Sequence, residues 1–261
     1  MLIIGELING MYQNVAKAIK EQDKAIIQKL AKDQTEAGAN MLDVNTGPAS
    51  ATPVETMKWL VETIQEAVDT PLAIDSTKAD VIEIGLKTAK SRALINSTSA
   101  DDEKLDRLLG LAKQYNAQII GLTMDKKGVP RDRATRSELA LKIVSKCMES
   151  GVNLEDLYID PIVLPVNVAQ NQGIEVLEAI REFQLLCDPP PKTVVGLSNV
   201  SQGTQQRPLI NRIFMVMAIA NGLSGAILDP LDKDLVDAAV TAELILNKHI
   251  YCDSFLTAYR K

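Results

Sequence analysis

Eight short apolar runs punctuate the chain, and between them the apolar positions change to a helical spacing. The runs are LIIGELIN (2–9), MLDVN (41–45), PLAIDST (71–77), ALINST (93–98), AQIIGLTM (117–124), LYIDPIVLP (157–165), TVVGLSN (193–199) and GAILDP (225–230). Continuous apolar runs of this kind predict strands covered on both faces, as in a parallel sheet. The intervening stretches place apolar residues three and four apart, for example Leu105, Leu108, Leu109 and Ala112, or Val176, Leu177, Ile180 and Phe183, which predicts amphipathic helices. Eight such units predict a single α/β domain over residues 1–261, a (β/α)8 TIM barrel with its site at the C-terminal rim of the strands. A doubly wound open sheet fits less well, because no Gly-x-Gly-x-x-Gly follows the first run and the units recur to the end of the chain.

Polar residues stand near the carboxyl ends of these runs: Glu6 and Asn9, Asp43 and Asn45, Asp75, Asn96, Thr123, Asp160, Ser198 and Asn199, and Asp229. Any one of them could simply cap the following helix. Their recurrence inside the last apolar turn of most units instead predicts that sequentially distant side chains converge on one rim and line a shared pocket.

Composition narrows the chemistry. The net charge of −6 and an aromatic content of 3% argue against nucleic-acid binding, which needs cations for phosphates and aromatic platforms for bases. No 18-residue apolar span occurs, and the first ten residues, MLIIGELING, lack a basic flank or cleavage site, so a cytoplasmic protein that neither crosses nor binds a membrane is expected. Cys147, Cys187 and Cys252 are odd in number and far apart, and His249 is the only histidine. Neither a disulfide framework nor a metal site is therefore expected. The strand ends are rich in carboxylates and carboxamides and poor in lysine, and no Gly-x4-Gly-Lys-Ser/Thr loop is present. Such groups suit a flat heterocycle with an amino-amide edge. A pterin and a purine both present one, and spacing does not separate them.

GELING, LDVNTGP, DST, INST, YIDP and above all GLSNVSQGTQQRPLINR resemble the methyltetrahydrofolate:corrinoid/iron–sulfur protein methyltransferases of acetogenic carbon fixation, pterin-binding relatives of dihydropteroate synthase and of the folate domain of methionine synthase. The resemblance covers essentially the whole chain. It implies a (β/α)8 barrel, a homodimer, 5-methyltetrahydrofolate as methyl donor, and a corrinoid iron–sulfur protein whose cobalt(I) accepts the methyl. It also implies that Asp75, Asn96 and Asp160 hold the pterin, that Gly196, Ser198 and Asn199 form the seventh-strand segment with Asn199 against the methyl-bearing nitrogen, and that Gln202 and Arg207 lie beside the folate. Glu6, Asn9, Asp43 and Asn45 would stand behind these. Leu7 departs from the pattern, since relatives carry arginine there, and Glu6 is thereby expected to lose a partner.

Rival readings differ at defined residues. Dihydropteroate synthases carry Ser-Thr-Arg-Pro-Gly after the second strand and Ser-Arg-Lys after the seventh, whereas this chain has NTGPASATP and LSNVSQG, without basic groups for a pyrophosphate leaving group. At 261 residues, the chain is expected to lack the additional modules of methionine synthase. A non-catalytic folate-binding subunit is the remaining alternative. A methyl on a tertiary amine leaves only if its nitrogen is protonated or strongly hydrogen-bonded, so the expected task is to hold the folate, expose its methyl at the rim, and assist that nitrogen.

Overall fold

Parallel strands covered on both faces should alternate their apolar side chains between an outer helical layer and a central core, and the computed structural model, which describes residues 1–48 and 50–259, shows this division. The strands are β1 (Leu2–Asn9), β2 (Met41–Asn45), β3 (Leu72–Asp75), β4 (Leu94–Ser99), β5 (Gln118–Leu122), β6 (Leu157–Asp160), β7 (Lys192–Gly196) and β8 (Gly225–Leu228). All pair in parallel with their sequence neighbours, and β8 closes on β1, giving a closed barrel. The helices are α1 (Gln13–Glu21), α2 (Lys24–Glu36), α3 (Pro53–Gln65), α4 (Ala79–Thr88), α5 (Asp102–Gln114), α6 (Arg133–Ser150), α7 (Gln172–Phe183), α8 (Arg207–Ala220), α9 (Lys233–Ile245) and α10 (Phe255–Tyr259).

The two apolar layers are separate clusters. Ile4, Met41, Ala73, Leu94, Ile120, Tyr158 and Val194, one from each of seven strands, pack with Leu2, Leu122 and Ile227 inside the barrel. Residues such as Ile3, Leu42, Ile74, Ile95, Ile119 and Val195 point outward, into the layer shared with Leu60, Leu105, Ile143 and Phe183 of the helices. Strand side chains alternate with period two, so the positions two residues beyond the inner layer fall at the barrel mouth. Those positions are Glu6, Asp43, Asp75, Asn96, Leu122, Asp160, Gly196 and Asp229. The polar recurrence seen in the sequence is thus the inward face of the barrel changing from apolar to polar, with Leu122 and Gly196 the exceptions.

The sixth and seventh runs extend furthest past their strands. The sixth strand stops at Asp160 rather than reaching Pro165, because Pro161 has no N–H to offer a ladder and Ile162 turns to φ 64°, a left-handed conformation that is costly for a β-branched residue. The seventh stops at Gly196, and Leu197–Ser201 wind into a 3-10 turn, so Ser198 and Asn199 sit on that turn and not on the strand. Helix α8 begins at Arg207, with Pro208 in the first turn, where its missing N–H costs nothing. No helix among the described residues is long and apolar enough to cross a membrane.

Candidate active site

Strand register assembles the mouth. Asn9 pairs with Asn45, Asn45 with Asp75, and Asp75 with Asn96, so four polar residues form one lateral row across β1 to β4. Asn45 Nδ2 donates to Asp75 Oδ2 at 2.6 Å, and its Oδ1 accepts the Gly47 amide at 2.6 Å. Asn96 Nδ2 donates to Asp43 Oδ1 at 2.9 Å in a fully buried contact. Asn9 turns to its own loop, where Oδ1 accepts the Met11 amide. Thr123, also buried, supports the rim through its hydroxyl, which donates to the Asp160 carbonyl at 3.1 Å.

Crowding carboxylates where water is scarce disfavours their charged forms. Burial raises Glu6, Asp43, Asp75, Asp160 and Asp229 above the usual carboxylate range. For Asp43 the Asp75 charge adds to burial, while the Asn96 amide opposes both. Asp160 is pushed up to about 7 by burial, against the lowering influence of the Ile162 and Gly196 amides and of Arg136. Ile162 N donates to Asp160 Oδ1 at 2.7 Å. The Asp160 carboxyl therefore ties the end of β6 to the end of β7, beyond the last ladder pair, Ile159 with Thr193.

The 3-10 turn after β7 carries the remaining expected residues. Ser198 Oγ donates to Glu6 Oε1 at 2.6 Å, so the partner Glu6 was expected to lose with Leu7 is supplied from across the barrel closure. Arg207 reaches back to the same turn, with Nε donating to Ser201 Oγ at 3.2 Å and Nη2 to the Ser198 carbonyl at 3.4 Å. Asn199 is exposed, and its Nδ2 lies over Gly196, where a Cβ would sit 2.9 Å from it. Its carboxamide makes no side-chain hydrogen bond to another described residue and is free for a ligand. Gln202 is exposed at the end of the turn.

Several supporting residues carry signals that the motifs do not contain. The ladder of β1 to β2 slips between Gly5 and Ile8, and that of β4 to β5 between Ile95 and Thr98, so both irregularities fall at mouth residues. At the first, buried Gln34 fills the gap: its Oε1 accepts the Leu7 amide at 3.0 Å, and a Cβ on Gly5 would stand 2.4 Å from it. Gln34 shares the buried face of α2 with Ile27 and Ala31, and Arg136 shares that of α6 with Ala140, Ile143 and Val144. A polar residue in register with a helix's apolar stripe was the readable sign of both. Gly10 and Gly47 let the β1 and β2 loops cross in backbone contact, since a Cβ on Gly10 would lie 2.5 Å from the Thr46 carbonyl oxygen.

Two clefts open from this rim. One of about 440 Å³ is lined by Glu6, Tyr12, Ser198, Arg207 and Asp229, and another of about 260 Å³ by Asn45, Gly47, Asp75 and Ser76. His249 is remote from both, beside Glu243 after α9, with Nε2 and Oε2 3.3 Å apart. No group of three or more His, Cys, Asp or Glu suited to a metal ion occurs among the described residues.

The chain as a whole has counterparts among known proteins. The sequence profile described as pterin binding enzyme matches residues 10–229. Methylcorrinoid:tetrahydrofolate methyltransferase of Eubacterium limosum is 32% identical over 266 residues, covering 100% of this chain and 97% of that protein. Methionine synthase of Mycobacterium tuberculosis is 29% identical over 243 residues, covering 87% of this chain but 20% of the enzyme. Among solved structures, a dihydropteroate synthase from Coxiella burnetii in complex with pteroic acid superposes with a TM-score of 0.68, covering 93% of this chain and 94% of that one at 15% identity. A Yersinia pestis structure with a pterine-sulfa conjugate gives 0.66, with 94% of each chain covered and 18% identity. At these identities the two structures share the fold.

Proposed function

This chain belongs to the pterin-binding enzyme family, and we propose on that premise that it is a methyltransferase acting between a reduced folate and the cobalt of a corrinoid carried by another protein. The observation that carries this reading is the unpartnered carboxamide of Asn199, held at the lip of a mouth whose deeper groups, Asp75, Asn96 and Asp160, match the amino-amide edge of a pterin. The name of the Eubacterium limosum relative supports the same pair of substrates.

Each residue then has a physical task. Asp75 and Asp160 accept N–H groups of the pterin ring, and Asn96, kept by Asp43, directs its carboxamide at the same edge. Gly196 leaves room for the ring and for Asn199 above it. Ser198, anchored on Glu6, sets the turn, while Gln202 and Arg207 flank the folate's tail, whose carboxylates suit a guanidinium. Asn199 can donate to the neutral methyl-bearing nitrogen or, rotated, accept from its protonated form, and thereby assists departure of the methyl as charge on nitrogen changes. No side-chain nucleophile is required, because the nucleophile is cobalt(I) on the partner.

The finer reading takes 5-methyltetrahydrofolate as donor and a corrinoid iron–sulfur protein as acceptor in the cytoplasm. The relative's name writes the transfer the other way, and one site serves both directions because both cross the same transition state. A homodimer fits the exposed apolar stripe Leu209, Ile213, Val216 and Met217 along α8. Pyrophosphate-displacing chemistry is disfavoured, since residues 46–52 and 197–206 contain neither lysine nor arginine.

The test is a spectrum recorded anaerobically. With 5-methyltetrahydrofolate and a cobalt(I) corrinoid iron–sulfur protein, the cobalt(I) absorption should give way to that of methylcobalt(III) at a rate proportional to added protein. A rate equal to that without the protein rejects the reading.

A further inference from the structure

A fully buried arginine stands behind the rim, between α6, α7 and the turn that follows β6. Arg136, in the first turns of α6, has no exposed surface, and nothing in the motifs points to it. Burying a guanidinium is expensive unless its donors are matched, and here they are matched selectively. Nε donates to the Pro161 carbonyl at 2.8 Å and Nη2 to Gln172 Oε1 at 2.9 Å, while buried Nη1 has no partner among the described residues. Gln172, itself buried, passes the constraint on, with Nε2 donating to the Arg131 carbonyl at 2.7 Å. A side chain retained only for stability would more cheaply be apolar, as its neighbours Ala140 and Ile143 are.

The segment it grips is the one that aims Asp160. Pro161 joins Asp160 to Ile162, whose left-handed backbone is costly and whose amide returns to Asp160 Oδ1 at 2.7 Å. Holding the intervening carbonyl fixes that turn, and the turn fixes the carboxyl. The same stretch continues to Val166, whose amide donates to the Val200 carbonyl at 3.0 Å in the turn that bears Asn199.

We propose that Arg136 is the positioning residue of Asp160: through the Pro161 carbonyl and the Ile162 turn it holds that carboxyl toward the pterin edge, with Gln172 holding Arg136. This rests on the reading above that Asp160 contacts the pterin. Arg136 touches no substrate, and its effect on binding is exerted wholly through Asp160.

A double-mutant cycle on the full-length protein tests this, with 5-methyltetrahydrofolate affinity measured by calorimetry on Arg136→Met, Asp160→Asn and the double variant, each checked for native circular dichroism. Each single change should weaken binding by about tenfold or more, and the double variant should be no weaker than the weaker single one, because the two changes break one contact. A purely structural role for Arg136 would give losses that multiply, and that result, or wild-type affinity in Arg136→Met, overturns the proposal. Wild-type affinity in Asp160→Asn instead removes Asp160 from the site, which defeats the underlying reading and this inference with it. If Arg136→Met does not fold, Gln172→Met, which leaves the guanidinium present but unanchored, replaces it in the same cycle with the same outcomes.

Discussion

At the scale of single residues, the proposed reading gives Asn199 a task in the chemistry and Asp160 one in binding. Asn199 is exposed and unpartnered, so its replacement should cost the fold little. Asn199→Ala is expected to slow single-turnover methyl transfer at saturating folate by about 10²- to 10³-fold, the usual effect of removing one preorganised polar contact. A wild-type single-turnover rate in that variant would falsify its role. Asp160 carries a cost in the free protein. Its carboxyl ionises near 7 when folded, against 3.8 ordinarily, so the unfolded chain loses its proton first and stability falls as pH rises between these values. Above about pH 7 the penalty is constant; below about pH 4 it is absent. Asp160→Asn should therefore melt above the wild type at pH 8, with the gap closing as pH falls to 4, even though the proposed reading expects it to bind folate less tightly. A gap independent of pH would assign the stabilisation to some other cause.

At the scale of elements, the strands were legible and their ends were not. All eight runs became strands because covering on both faces demands continuous apolar sequence, and β1 and β2 end where the pattern ends. In the sixth and seventh runs the apolar character continues after the ladder stops: Val163 and Leu197 are buried in the outer core as loop and turn residues, and burial alone does not distinguish a strand from its continuation. The mouth residues were legible for the same reason as the strands, being the inward positions next in register. Gln34 and Arg136 showed in the sequence only as polar residues in register with a helix's apolar stripe, a sign that does not tell what they satisfy, namely an amide freed by a ladder slip and the carbonyl of a left-handed turn. The slip in β1 carries its own expectation. In Gly5→Ala the added methyl meets the Gln34 carboxamide and displaces it from the Leu7 amide, which should cost about 1–3 kcal/mol in denaturant unfolding. Gly110, with open space around its Cβ position, is the comparison, and Gly110→Ala should not destabilise. Equal midpoints for the two variants would count against a tight fit at Gly5.

At the scale of the whole molecule, α8 presents one face to the mouth through Arg207 and an opposite one to solvent through Leu209, Ile213, Val216 and Met217. If that stripe joins two copies, Ile213→Lys should convert the dimer to a monomer in sedimentation equilibrium while folate affinity holds, and a monomeric wild type would refute the interface. The crowded carboxylates of the mouth have a consequence measurable as heat. Their protons are held because charge is poorly solvated there, and a ligand that brings N–H donors to them favours the ionised forms. Folate association near pH 6 should therefore expel protons into the medium, and the apparent binding enthalpy should vary with the ionisation enthalpy of the buffer, its slope counting the protons released. That slope should shrink as pH rises above 7, where Asp160 has already surrendered its proton before the ligand arrives.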